Sequence, residues 1–252
     1  MSFGTAAASP TSRHRPLQPR LRRRYSEMMW QLYQFPLCPF SRKVRLLLGE
    51  KGVGYELVKE YPWERRDEFI DMNPAGQTPV MVDVARASAP LIDSVAICEY
   101  VEETVDKAAM INGTAANRAE IRRLVTWFDT QFYRDVTGLL LHERVVKRIA
   151  QRSAPDARGL RDAMKGAVGH LDYIDYLLDH RNWLAGATMS LADLAAAAQI
   201  SVTDYLGGID WKGHEQTARW YRGLKSRPAF RPLLSERMEM INPPAHYDNV
   251  DF

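Results

Sequence analysis

The chain has 252 residues, of which 46% are hydrophobic and 26% are charged. This composition is typical of a globular protein with one large core or two smaller ones, and it excludes a chain that is disordered throughout. The two cysteines are too few for a disulfide framework and agree with a reducing compartment, so we expect a cytoplasmic protein. The six histidines are dispersed, without a pair at metal-ligand spacing, so no metal site is predicted. The apolar stretch 194–203 is too short for a membrane span, which needs about 20 residues.

The formal net charge of +3 is unevenly distributed. Residues 1–28 contain six arginines and one acidic residue, so they carry a charge of +5 and leave −2 for the rest of the chain. Because the rest is mildly acidic, we expect no nucleic-acid binding by the folded part. Residues 1–28 are predicted to be disordered. We favour a start codon assigned too far upstream, because Met28 and Met29 directly precede the first strand; a transit peptide and a polyanion-binding arm are the alternatives.

Residues 29–107 show the pattern of a small mixed sheet with helices. Short runs with strand character are predicted at 31–35, 55–58, 80–84 and 91–92. A helix is predicted over 41–50 and closed by Gly52, and a second over 94–103, capped by Asp93 or Ser94. The segment 62–71 is predicted to be a short helix or a loop. This order of elements implies a sheet with a right-handed crossover.

Residues 112–236 show helical periodicity throughout. Apolar residues repeat every three or four positions over 118–149 and 160–178, and Trp220 lies in a last helix that stops near Pro228. Ser190 and Asp193 form a capping box that opens a helix over 191–205, which is apolar nearly all round and should be the buried centre of a bundle. Residues 237–252 are predicted to be an extended tail. The fold class is therefore α/β followed by all-α.

The turn between the first strand and the first helix contains Cys38, in the sequence Pro-Leu-Cys-Pro-Phe-Ser at 36–41. A cysteine at a helix N-terminus lies beside unpaired backbone N–H groups, which together with the helix dipole favour the reactive thiolate. Ser41 occupies the fourth position of the Cys-x-x-Ser motif, so a disulfide within the turn is excluded. The structural alternative is a buried cysteine, because cysteine is among the most often buried residue types. Cys98 is expected to be an inert core residue.

Several motifs in order resemble the cytosolic glutathione transferases. They are Cys-Pro-Phe-Ser at 38–41, Asn-Pro-Ala-Gly-Gln-Thr-Pro at 73–79, Ile-Asp-Ser at 92–94, Asn-Trp-Leu-Ala-Gly at 182–186, the capping box at 190–193 and Ser-Arg-Pro-Ala-Phe at 226–230. The resemblance implies a thioredoxin-like domain over 29–107, followed by an all-helical domain over 112–236, usually in a homodimer.

The same resemblance implies a glutathione site. Pro79 would follow a cis peptide bond, and Thr78 would pair its backbone with an extended peptide. Asp93 and Ser94 would hold the γ-glutamyl end of glutathione, although these two residues are equally a good helix cap. Cys38 would face the glutathione sulfur and form mixed disulfides.

Cys38 and Ser41 would be the catalytic residues if the protein is an enzyme. Two features fit an ordinary transferase poorly. Trp63 lies in a charged segment and would anchor a partner; its alternative is a ring folded down onto the sheet. The tail ends in aromatic and acidic residues, of which Tyr247, Asp251 and Phe252 would contact a partner as a short peptide ligand does. The alternative is a tail that packs on its own body.

The chain from Met29 onward is also similar to a narrower group of glutathione-transferase-like proteins, which act in bacterial cell division and bind filaments of the tubulin homologue FtsZ. This similarity implies a cytoplasmic homodimer at the division site that curves or bundles filaments and requires no cofactor, although glutathione can bind. It favours a non-catalytic protein. The alternative is a glutathione-dependent transferase or thiol reductase that uses Cys38.

Overall fold

The computed structural model describes residues 29–86 and 88–251. The predictions for residues 1–28 and for Phe252 lie outside the described residues. In chain order the elements are β1 (Trp30–Gln34), α1 (Pro39–Lys51), β2 (Tyr55–Lys59), α2 (Asp67–Met72), β3 (Val80–Asp83), β4 (Leu91–Ile92), α3 (Ser94–Thr104), α4 (Ala115–Thr126), π1 (Trp127–Thr137), α5 (Gly138–Leu141), π2 (His142–Val146), α6 (Lys147–Ile149), α7 (Ala157–His180), α8 (Leu191–Tyr205), α9 (Glu215–Lys225) and α10 (Arg231–Ser235).

The four described strands form one sheet in the order β2-β1-β3-β4. Strands β1 and β2 are parallel and are connected through α1, whereas β3 pairs antiparallel with both β1 and β4. The inner strand β1 alternates between fully buried and half-buried positions, because Trp30 and Leu32 point into the core. The predicted mixed sheet followed by helices is confirmed.

Helix α1 follows from local sequence signals at both ends. Pro39 stands at the first position, where its missing N–H costs no hydrogen bond, and Cys38 is the N-cap. The helix ends at Gly52, whose φ of +65° suits the left-handed cap conformation. The prediction that Gly52 closes this helix is confirmed.

The predicted helix over 118–149 is interrupted by two π-helical segments. The backbone N–H of Gly138 donates to the carbonyl of Tyr133, five residues earlier, at the end of π1. A Cβ at Gly138 would lie 2.8 Å from that carbonyl oxygen, so the glycine permits the close approach. Periodicity alone does not distinguish such segments from α-helix. The short helix α10 was also outside the sequence prediction.

Helix α8 is the centre of the helical unit. All of its residues are buried, as the sequence predicts. The capping box is confirmed: the Asp193 carboxylate accepts a hydrogen bond from the Ser190 N–H at 2.9 Å. The same carboxylate accepts from the Leu184 N–H (2.9 Å) and from Trp220 Nε1 (3.1 Å). Asp193 therefore joins three segments of the helical unit.

Ion pairs connect α1 to the helical unit. The Lys43 ammonium pairs with Asp129 of π1, and both side chains are almost fully buried. The carboxylate of Glu50 accepts two hydrogen bonds from Arg227, at 2.6 and 2.7 Å. Because α1 also follows the Cys38 turn, these contacts fix the turn relative to the helical unit. Within the described residues, none of the helices is long and apolar enough to cross a bilayer.

Glu120 of α4 forms an ion-pair network with two arginines. Its carboxylate accepts from Arg123 at 2.7 and 2.9 Å and from Arg181 at 2.8 Å. The hydrogen bond from Arg123 is the main reason that the pKa of Glu120 falls to about 2; burial opposes the shift and Arg181 supports it. The network ties α4 to the segment after α7.

We expect Glu120→Gln to lower the Tm in a pH-dependent way. The pKa of Glu120 in the folded protein lies below its ordinary value of 4.5, so its stabilising contribution is complete above that value and is lost as the pH falls toward about 2. The difference in Tm between wild type and variant should therefore be constant from about pH 7 to 5 and shrink below that, as calorimetry can measure. The exposed Glu239, changed to Gln, is the matched control. A difference that does not change with pH would contradict the assignment.

Candidate functional site

The Cys38 turn places a thiol at the N-terminus of α1. The Sγ atom accepts a hydrogen bond from the Ser41 N–H at 3.4 Å, and the thiol donates to the carbonyl of Thr78 at 3.4 Å. Cys38 is only 6% exposed. The Ser41 hydroxyl is buried without a hydrogen-bond partner among the described residues. The predicted contact between the sulfur and a helix N–H group is present, and a reactive role of Cys38 stays a prediction.

The Thr78–Pro79 peptide bond is cis, which confirms the prediction. The loop before it is held by Asn73, whose side chain donates to the carbonyl of Gln77 at 2.8 Å and accepts from the Ala75 N–H at 3.1 Å. The Asn-Pro-Ala-Gly motif therefore stabilises the loop conformation that places the Thr78 carbonyl beside the Cys38 thiol.

Asp93 caps α3, as predicted. Its Oδ1 accepts from the Val95 N–H at 2.6 Å, while the residue itself is exposed with a φ of +76°. Ser94 is buried. Since Val80 pairs with Ile92 across β3 and β4, Pro79 and Asp93 lie beside each other at the sheet edge. The cap is thus observed, and a role of Asp93 and Ser94 in ligand binding stays a prediction.

Tyr133 of π1 completes the surroundings of the thiol and was missed by sequence reasoning. Its ring lies 4.8 Å from that of Phe40, between centroids. Burial raises the pKa of the Tyr133 hydroxyl, and the nearby Cys38 raises it further, so the group stays a neutral donor. The position of Tyr133 depends on the π-helical register, for which the sequence carries no local signal.

Cys98 is not part of the site. It is fully buried in the core, and burial raises its pKa to about 12. A thiol with such a pKa remains protonated and unreactive. The prediction of an inert core cysteine is confirmed.

Trp63 lies beside the Cys38 turn, in the segment 61–66, which we call the lip. Its ring is part of an aromatic cluster. Its ring stacks on Tyr61 at 5.0 Å and meets the edge of Phe35 at 5.2 Å, between centroids. The side chain is half-buried, so one face packs on the first unit and the remainder stays accessible. Next to it, Arg65 is exposed and Arg66 pairs with the buried Glu60 at 2.5 Å.

Tyr247 does not face a partner, which corrects the sequence prediction. The residue is fully buried. Its hydroxyl accepts from Arg42 Nη1 at 3.0 Å and donates to the carbonyl of Leu233 at 3.2 Å, and its ring lies 5.1 Å from that of Tyr205. The sequence pattern did not show this contact because Arg42 is distant in the chain and its burial depends on the packing of α1 on α8.

The described tail packs on its own body as far as the half-buried Val250. His246 Nε2 lies 2.8 Å from the Asp204 carboxylate, and the carbonyl of Asn249 accepts from Lys225 at 2.6 Å. Within the tail, Asp248 pairs with Arg237 at 2.5 Å. Asp251, by contrast, is exposed. Of the three tail residues assigned to a partner, the described structure leaves Asp251 accessible, while Phe252 lies outside the described residues.

The comparisons with known proteins agree with this architecture. Residues 32–109 match the family described as glutathione S-transferase, N-terminal domain. A glutathione S-transferase from Rhodospirillum rubrum F11 shares 46% identity and superposes with a TM-score of 0.85, covering 89% of this chain and 100% of that structure. The chain belongs to the glutathione S-transferase family.

Within that family, the chain is similar to a relative that is named for its localization with FtsZ. It is 45% identical over 222 residues to FtsZ-localized protein A of Caulobacter vibrioides, which covers 88% of this chain and 97% of the relative. The structure of FzlA from C. crescentus superposes with a TM-score of 0.86 at 44% identity, covering 89% of this chain and 100% of that one. The described fold is therefore shared with both a transferase and an FtsZ-localized protein.

Proposed function

We propose that this chain is a bacterial cell-division protein with a glutathione S-transferase fold, which binds FtsZ filaments and promotes their curvature or bundling. The observation that carries the proposal is the 45% identity to FtsZ-localized protein A over 97% of that relative. A match of this length extends far beyond the N-terminal unit. We further propose a cytoplasmic homodimer at the division site, because two copies of one surface engage a repeating filament with avidity.

The lip and the tail tip, residues 250–252, are the surfaces that we assign to the filament. Trp63 offers a large ring of which one part is already fixed by Tyr61 and Phe35, so little conformational entropy is lost when a partner covers the rest. Arg65 supplies an exposed charge next to it. Partly buried aromatic residues with neighbouring arginines are the usual anchors of protein interfaces.

A second function is favoured by the geometry of the Cys38 turn. The thiol at a helix N-terminus beside the cis bond before Pro79 is suited to a glutathione-dependent transferase or thiol reductase. In that case Cys38 would react, Thr78 would bind the peptide backbone of glutathione, and Asp93 and Ser94 would hold its γ-glutamyl end. Filament binding requires no cofactor, and a retained glutathione site is compatible with it.

We expect Trp63→Ala to reduce co-sedimentation with FtsZ filaments by about tenfold or more, since anchors of this kind contribute roughly 2 kcal/mol or more. Tyr176→Ala is the matched control, because Tyr176 is 63% exposed on α7 and lies outside the lip. Circular dichroism should show both variants folded. Equal pelleting of wild type and Trp63→Ala would exclude the lip as the binding surface.

The alternative function has its own test. Retention of the protein on immobilised glutathione, with turnover of a thiol substrate that is lost in Cys38→Ala, would establish enzymatic activity. Absence of retention and of turnover, together with filament binding by Cys38→Ala equal to that of wild type, would leave the binding function alone.

A further inference from the structure

A buried guanidinium connects the tail to the Cys38 turn. Arg42 has no solvent exposure. Its Nε donates to the carbonyl of Pro36 at 2.9 Å, and its Nη1 donates to Ser201 Oγ at 2.9 Å and to the Tyr247 hydroxyl at 3.0 Å. These partners belong to three separate parts of the chain: the turn, helix α8 and the tail. Arg42 is therefore the point at which the three segments meet.

The hydrogen-bond acceptors of the Arg42 guanidinium are all neutral oxygens. Each of them therefore contributes to the stabilisation of the buried charge. A buried charge is tolerated only where its donors are satisfied, and an unsatisfied buried donor is costly. Among the described residues, the Nη2 atom already lacks a hydrogen-bond partner. If Tyr247 withdraws, the guanidinium loses a further acceptor and must shift to regain one. Its position then no longer fits both remaining partners.

On the side of the turn, Arg42 holds both ends of the segment that carries the thiol. The side chain binds the carbonyl of Pro36, two residues before Cys38, and the backbone N–H of Arg42 donates to the carbonyl of Cys38 at 3.0 Å. A shift of the guanidinium therefore releases the carbonyl of Pro36 and loosens the turn around the sulfur.

On the side of the tail, Tyr247 lies only four residues before the exposed Asp251. His246 and Asn249 add polar anchors to the body, Asp248 pairs with Arg237 within the tail, and Tyr247 is the described tail residue that hydrogen-bonds Arg42. A partner that binds the tip would act on the neighbouring tail segment, which contains Tyr247. The tip is thus mechanically connected to the buried hydroxyl.

We infer that Arg42 is a positioning residue that couples the tail to the Cys38 turn, so that the seating of Tyr247 controls the access of reagents and ligands to the Cys38 thiol. By reciprocity, a ligand or adduct at the turn changes the affinity of the tail tip for its partner. This second statement rests on the proposed function, whereas the first does not.

The test compares the alkylation rate of Cys38 by iodoacetamide, followed by mass spectrometry of the Cys38 peptide, in two variants of the full chain. Tyr247→Phe removes the hydroxyl and keeps the ring. Thr137→Val is the matched control, because it removes a buried hydroxyl that lies 3.3 Å from that of Thr203 and is not one of the hydrogen-bond partners of Arg42. Both variants should lose a similar amount of thermal stability.

We expect Tyr247→Phe to accelerate alkylation of Cys38 by about fivefold, the change that corresponds to one hydrogen bond of roughly 1 kcal/mol, and Thr137→Val to change it less than about twofold. Equal rates in the two variants would overturn the coupling, because general destabilisation would then explain the result.

The reciprocal measurement uses FtsZ filaments. Alkylation of Cys38 should change co-sedimentation of the wild type and leave that of Tyr247→Phe unchanged; the same change in both would contradict the reciprocal part. If neither protein binds filaments, the proposed function fails, while the alkylation rates still decide whether Arg42 couples the tail to the turn.

Discussion

Deletion of residues 241–252 is expected to unfold the helical unit. Ile241 and Tyr247 are both buried in the core. Removal of either side chain lowers the free energy of unfolding by about 2–5 kcal/mol. The deletion also leaves Arg42 without its tail partner. Together these losses approach the total stability of about 5–15 kcal/mol that is typical of a folded protein. Urea denaturation should therefore show no cooperative transition, or a strongly reduced midpoint.

A shorter deletion is the matched control. Removal of residues 250–252 leaves the anchors at 246–249 in place, and takes away only the half-buried Val250, the exposed Asp251 and the terminal residue. We expect its midpoint to lie close to that of the wild type. An unchanged midpoint after deletion of 241–252 would show that the tail does not stabilise the fold.

Asp193→Ala is expected to be the most destabilising single substitution that we consider. The residue is fully buried and its carboxylate accepts hydrogen bonds from the backbone of Leu184 and Ser190 and from the ring of Trp220. Without it, these three donors and the Ser190 hydroxyl, which also donates to the carboxylate at 3.0 Å, lose their acceptor at about 1–3 kcal/mol for each donor left unpaired, partly offset because the buried carboxylate no longer has to be desolvated. We therefore expect a loss of about 3–5 kcal/mol.

The measurement is the free energy of unfolding in urea, with two further variants as a graded series. Asp193→Asn keeps one acceptor oxygen, so its free energy of unfolding should fall less than that of Asp193→Ala. Ser190→Ala removes only the N-cap side chain and should cost about 1 kcal/mol. If Asp193→Ala were no more destabilising than Ser190→Ala, the carboxylate would be a local cap and would not join the three segments.

Much of the fold could be predicted because its signals are local. The bounds of α8 and the last turn of α1 follow from a capping box and from Gly52, which act within a few residues. The cis bond before Pro79 and the cap at Asp93 could be predicted from short motifs of the family. In each case neighbouring residues contain the whole physical cause.

The remaining features depend on contacts between distant residues. The burial of Tyr247 requires Arg42, which is far away in the chain, and the direction of Tyr133 requires the π-helical register of π1. A tail rich in proline, aromatic and acidic residues has the composition of an exposed peptide ligand, and only packing shows that its middle is a part of the core. The surface that we propose for a partner is accordingly smaller than the sequence indicates.

The architecture also explains how one scaffold can serve two functions. The Cys38 turn retains the geometry of a thiol site, while the lip beside it and the tail tip present features suited to a protein partner. The Arg42 contact lies between the turn and the tail. In this proposal, binding and thiol chemistry would use adjacent but different residues of the same protein.

Association with FtsZ is tested most directly by co-sedimentation of the purified full chain with assembled FtsZ filaments, using unassembled FtsZ and the 250–252 deletion as controls. We expect the full chain to enter the pellet with filaments only, and the deletion variant to remain mainly in the supernatant although it is folded. A full chain that stays in the supernatant at filament concentrations far above about 10 μM, where even weak specific complexes of about −7 kcal/mol form, would contradict the proposed function.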